Sequence, residues 1–152
     1  ILHADENANA SPPGAYFYKR IETMPKVNRY VDIDQVEKEA KKDYIDRHSP
    51  FIHCESSAKA GESFAVTVKM GNEYPHPDDH DHHIRNIQLF NRDTLVAEAS
   101  FPPGTQAGAG AKGHTTVTFN VTPSGSSMKL TAMSYCTKHG LWESDPAEVS
   151  VS

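Results

Sequence analysis

The sequence predicts an all-β protein: an immunoglobulin-like, seven-stranded antiparallel β-sandwich, preceded by an N-terminal extension with a short helix. Three observations predict it. After Pro50, several short runs alternate apolar and polar residues with period two. Turn signals separate these runs at roughly ten-residue spacing. Before Pro50 the texture is different, with small polar residues, then aromatic and basic ones, then a helical pattern.

In chain order, residues 1–15 (ILHADENANASPPGA) are small, polar and proline-containing and read as a flexible terminus. Residues 16–31 mix aromatic with basic residues and have no clear period. A helix is expected from about Gln35 to Tyr44. Asp34 with Glu37 resembles a capping box, and Val36, Ala40 and Tyr44 share one face at spacing four. The chain is therefore divided into an extension, residues 1–45, and a sandwich, residues 46–152. Phe51 to Cys54 opens the strands. In the next, Phe64, Val66, Val68 and Met70 alternate with Ala65, Thr67 and Lys69. His83–Phe90, Leu95–Ala97, His114–Val121, Met128–Tyr135 and Glu148–Ser152 complete the set, with a Pro- and Gly-rich loop from Pro102 to Ala111.

The 152 residues suit one domain with a real core. Hydrophobic content is 37% and mean hydropathy −0.61, values of a soluble protein. No run of about eighteen apolar residues occurs, which excludes a membrane-spanning helix. Net charge is −5 and basic residues are scattered, which argues against a nucleic-acid surface. A phosphate loop, a G-x-S-x-G elbow and a C-x-x-C pair are all missing.

Two patches hold the chemistry. One is Pro75-His76-Pro77-Asp78-Asp79-His80-Asp81-His82-His83-Ile84, and the other Ser134-Tyr135-Cys136-Thr137-Lys138-His139-Gly140-Leu141-Trp142. Cys136 and His139 can face one point if the chain bends between them, and Gly140 permits such a bend. His76 and His82 would stand about 20 Å apart on a straight strand, but a loop can aim both inward. His48, just before the first strand, sits where the loops of one sandwich pole converge. The candidate ligands are thus His48, His76, His82, Cys136 and His139. His53, His80 and His114 read as ordinary surface or strand histidines, and Cys54 as a small buried hydrophobe. Five donors are too many for tetrahedral structural zinc. Without a methionine after Cys136, blue copper is a poor fit. A five-coordinate iron with one open position suits the set.

The segments His76-Pro77 with His82-His83-Ile84 and Cys136-x-x-His139-Gly140-Leu141-Trp142, preceded by Asp46-Arg47-His48-Ser49-Pro50-Phe51-Ile52, resemble the motifs of the superoxide reductase family. That family comprises neelaredoxin and the iron-centre domain of desulfoferrodoxin. The resemblance implies one mononuclear non-haem iron, with His48, His76, His82 and His139 equatorial and Cys136 axial. It implies one-electron reduction of superoxide to hydrogen peroxide, with re-reduction by an external, rubredoxin-like donor. Asp46 and Arg47 take the catalytic positions of a family glutamate, which binds the oxidised iron, and a lysine, which attracts superoxide. Asp46 is one methylene shorter, and Arg47 is a planar fork rather than a compact ammonium. Thr137 replaces an asparagine, and its N–H is expected to donate to the sulfur. Trp142 and Tyr135 are expected to pack around the thiolate. The family expectation is a cytoplasmic protein, with an exported form left open by the start at Ile1. An extension draped over a neighbour would support a homo-oligomer. The rival readings are a non-enzymatic iron electron carrier or metal-binding module of the same fold, and a metal-free adaptor sandwich, which the intact ligands oppose.

Overall fold

The structure, a computed structural model, describes residues 41–152. The expected flexible start, the aromatic and basic stretch and residues 35–40 of the expected helix lie outside the described residues. Within them, helix α1 spans Lys42–His48 and so crosses the expected boundary at residue 46. It stops because Ser49 precedes Pro50: proline disfavours helical backbone at the preceding residue, and Ser49 is extended, at φ −84° and ψ 130°. The Ser49 hydroxyl and N–H close the last turn by donating to Ile45 O and Asp46 O.

Eleven strands follow: β1 (Pro50–Cys54), β2 (Ser57–Ala58), β3 (Phe64–Met70), β4 (His76–Pro77), β5 (Ile84–Asn91), β6 (Thr94–Ser100), β7 (Lys112–Gly113), β8 (Thr116–Val121), β9 (Met128–Cys136), β10 (Gly140–Glu143) and β11 (Ala147–Val151). Seven of them, β1, β3, β5, β6, β8, β9 and β11, have five or more residues, as the alternation predicts. The two-residue strands carry too little sequence for a period to register, and β10 follows the tight turn at Gly140. One layer is β1-β3-β8. The other is β2-β11-β9-β5-β6, with β10 on β9, and β4 pairs β7. Val66, Val68 and Met70 of β3 are fully buried, as are Ile87 and Leu89 of β5 and Leu130 and Ala132 of β9. These inward positions alternate with half-buried ones and fill the space between the layers. Cys54 is a free thiol packed at the edge of this core.

The β8 strand begins at Thr116, two residues later than expected. The His114 ring is used otherwise, and its Nδ1–H lies 2.9 Å from Met70 O and 3.1 Å from Gly71 O. A register shift between Ile84 and Asn86, opposite Cys136 and Tyr135, leaves Arg85 as an extra residue in β5. Such bulges re-aim side chains, and this one lies at the pole where the histidines collect.

Candidate metal centre

Four short local structures place the candidate ligands. His48 is the last residue of α1, and its Nδ1–H donates to Tyr44 O one turn back at 2.7 Å. That bond turns Nε2 inward, where it is buried with no partner. His76 is on β4, and its Nδ1–H donates to Pro77 O at 2.6 Å, which likewise frees Nε2. His82 closes the small bridge Asp79–His82. Cys136 and His139 belong to the β9–β10 hairpin, where Cys136 pairs with Gly140 across a three-residue loop. Gly140 has φ +80°, the left-handed conformation that the bend requires.

The five side chains meet. Among the described residues, ligand atoms of His48, His82, Cys136 and His139 all lie within 4.8 Å of one another. His76 joins them, with Nε2 3.4 Å from Cys136 Sγ. His139 Nδ1 is 3.2 Å from His82 Nε2 and 3.8 Å from the sulfur. The four imidazoles form a near-square. Neighbouring centroids are 4.9 Å (His48–His76), 4.8 Å (His76–His82), 4.8 Å (His82–His139) and 4.7 Å (His48–His139) apart. Across the diagonal, His48 and His82 are 6.2 Å apart. A cation about 2.1 Å from each nitrogen and 2.3 Å from sulfur would hold adjacent donors roughly 3 Å apart. The pocket is close to that size, and the orphaned His48 Nε2 has no other use for its lone pair.

The electrostatics favour a cation. Burial, reinforced by the neighbouring imidazoles and only partly opposed by the backbone bonds, lowers His48 to about 3 and His76 to about 4. Burial first, then neighbouring positive charge, lowers His82 and His139 as well. All four rings are therefore neutral donors near pH 7. Burial pushes the Cys136 thiol up, against backbone N–H groups of Lys138 and His139 that favour the thiolate. A bound cation is what tips such a thiol to thiolate.

The surroundings hold several departures from expectation. The N–H of Thr137 donates not to the sulfur but to His83 O at 3.1 Å, while its hydroxyl accepts from His83 N–H and lies 3.3 Å from Asp81 O. Thr137 thus ties the His82 arm to the hairpin. Trp142, 6% exposed, stacks on His48 at 5.1 Å and donates from Nε1 to His139 O. Tyr135 is 37% exposed and does not line the thiolate, because it alternates with Cys136 on β9 and faces the other way. Tyr44 packs here as well, against His48, His139 and Trp142. Its spacing of four from His48 was the available signal. Arg47 pairs with Asp43 at 3.0 Å, and its charge disfavours protonation of His76 and His139. The Asp46 carboxylate accepts the N–H groups of Asn72, Glu73 and Tyr74 at 2.8–3.1 Å. His53 and His80 are exposed.

Fold and donor set together define a β-sandwich with a mixed imidazole and thiol group able to hold a metal ion at one pole. The desulfoferrodoxin family model matches residues 17–145. Neelaredoxin of Megalodesulfovibrio gigas is 36% identical over 116 residues, covering 67% of this chain and 86% of that protein. Superoxide reductase of Pyrococcus furiosus is 33% identical over 110 residues, covering 66% and 86%. Among solved structures, a superoxide reductase (neelaredoxin) from Ignicoccus hospitalis superposes with a TM-score of 0.57 at 31% identity, over 79% of this chain and 93% of the other. A neelaredoxin variant from Archaeoglobus fulgidus in the reduced form gives 0.55 at 31% identity, over 70% and 91%. The chain belongs to the desulfoferrodoxin, or superoxide reductase, family.

Proposed function

We propose that this protein is a superoxide reductase using one mononuclear non-haem iron held by His48, His76, His82, His139 and Cys136. The observation that carries this reading is the convergence of five neutral or ionisable donors on one point, with His48 Nε2 buried and unpartnered. Bound there, iron supplies the single electron that, with two protons, converts superoxide into hydrogen peroxide. The chain's own residues set the conditions. The imidazoles stay neutral and add no charge to repel a cation. The Cys136 sulfur is the soft, electron-rich donor of the set. The partly exposed Arg47 raises the local concentration of superoxide against a net charge of −5, an effect that salt should weaken. With its carboxylate bonded to the amides of Asn72–Tyr74, Asp46 is assigned to the architecture of the site rather than to its open position. An external donor, rubredoxin-like by resemblance, returns the electron.

Residues 46–152 form the metal-binding sandwich in this reading and residues 1–45 its extension. Two free cysteines suit a reducing, cytoplasmic setting. No helix among the described residues is long and apolar enough to cross a membrane.

Metal analysis and the visible spectrum test the proposal. The purified protein should carry about one iron per chain and turn blue or green on oxidation, from thiolate-to-iron charge transfer. Cys136→Ser should abolish the colour. Pulse radiolysis should show superoxide oxidising the reduced protein faster than an outer-sphere oxidant does. Equal rates would make it an electron carrier, and a colourless zinc protein that leaves superoxide untouched would overturn the enzyme reading.

A further inference from the structure

His76 stands on a weakly supported element of the centre. Its strand β4 is two residues long and pairs only with Lys112–Gly113 of β7. No strand of ordinary length fixes the ring, yet His76 is 1% exposed and in contact with the sulfur. Carboxylates hold the arm instead, on both sides. Upstream, Asp46 takes the N–H groups of Asn72, Glu73 and Tyr74. Downstream, Asp78 Oδ2 accepts those of Gln106, Ala107 and Gly108 at 2.8, 2.7 and 3.1 Å. Asp79 Oδ1 adds Gly110 N–H at 2.6 Å.

Asp78 is only 3% exposed. A buried carboxylate is costly unless it is satisfied, and one accepting backbone N–H bonds stays ionised. The same three bonds fold the glycine-rich loop against the arm. The fit is close: a Cβ on Gly113, opposite His76, would come within 2.8 Å of Ala107 Cβ. The His76 Nδ1–H is committed to the adjacent Pro77 O, so the ring follows the arm's peptides wherever they go.

We infer that Asp78 is a positioning residue for the metal centre. By locking the Gln106–Gly108 loop to the His76 arm it sets where His76 Nε2 stands relative to Cys136 Sγ, and Asp46 does the same from upstream. This rests on the metal-centre reading above. The test uses cobalt(II) as probe in the full chain, comparing wild type with Asp78→Asn, Asp78→Ala, Asp46→Asn and Val149→Ala. Val149 is buried in β11 and serves as a control for general loss of stability. The readouts are the thiolate-to-cobalt absorption band and the release rate to a chelator, well below the melting temperature. Asp78→Asn should release cobalt on the order of 10-fold faster with a shifted band, as for other residues that orient ligands. Asp46→Asn should shift both in the same direction, whereas Val149→Ala should lower the melting temperature and change neither. If Asp78→Ala does not fold, Asp78→Asn, which keeps the side chain's shape, carries the test. Asparagine variants with wild-type release and band, or changes no greater than the Val149→Ala control, would overturn the positioning role alone. A wild-type protein with no thiolate band would overturn the metal reading and the inference with it.

Discussion

Gly71→Ala should be far more costly than Gly61→Ala, although both glycines have the same left-handed backbone, with φ +70° and +78°. For an L-residue that conformation costs roughly 1–2 kcal/mol. At Gly61 a Cβ meets nothing within 4 Å, so the backbone cost is the whole cost. At Gly71 the Cβ would overlap the carbonyl oxygen of Tyr74 and stand 3.3 Å from His114 Nδ1 and 3.4 Å from Arg47 Cα. The obstacle is backbone, and overpacking against atoms that cannot rotate away adds about 1–3 kcal/mol. The total is about 2–5 kcal/mol, a fall in Tm on the order of 10 °C for a domain of this size. The turn cannot yield cheaply, because Gly71 N–H donates to Ser49 O and the amides after it bind Asp46. Urea denaturation of both variants, metal-free, measures the difference. Since Gly71 sits between the end of α1 and the His76 arm, Gly71→Ala should also speed metal release. Equal losses in the two variants would refute the steric argument and leave only the backbone term.

Further outcomes are expected. Trp142→Ala, which removes the ring stacked on His48, should cost about 3–5 kcal/mol. Trp142→Phe loses mainly the bond to His139 O, about 1 kcal/mol, and the exposed Tyr135→Ser should stay within about 0.5 kcal/mol by thermal denaturation. The metal-free protein should lose stability as pH falls. His48 and His76 are depressed to about 3 and 4 in the folded state but titrate near 6.5 when unfolded, so between those values the unfolded chain binds more protons. The stability present above about pH 6.5 is therefore lost toward pH 4 and below, and an unchanged urea midpoint from pH 8 to 5 would contradict this. Removing the metal by chelation should lower Tm, since a ligand at 100 times its Kd contributes about 2.7 kcal/mol, and cobalt(II) should restore it.

What the sequence determined by itself was whatever is written locally. Period-two alternation in Phe64–Met70 and Thr116–Val121 records which face is buried, because a strand's side chains point alternately in and out. The pair Cys136 and His139 beside Gly140 was legible because one tight hairpin holds all three. His76 and His82 stood out because histidines are dense in that stretch. The tertiary structure alone decided the rest. Nothing near Asp46 in the chain marks the amides of residues 72–74 as its partners, and nothing near Asp78 marks those of 106–108. Thr137 N–H turned from the sulfur to His83 O because the β5 arm lies across from it. Which nitrogen each histidine offers follows from the bond its other nitrogen makes, as with His48 and Tyr44 O. Such pairings join residues up to tens of positions apart, and a backbone N–H carries no sequence identity. The candidate ligands were therefore readable from side chains, while the framework that aims them depends on main-chain groups and appears only once the chain is folded.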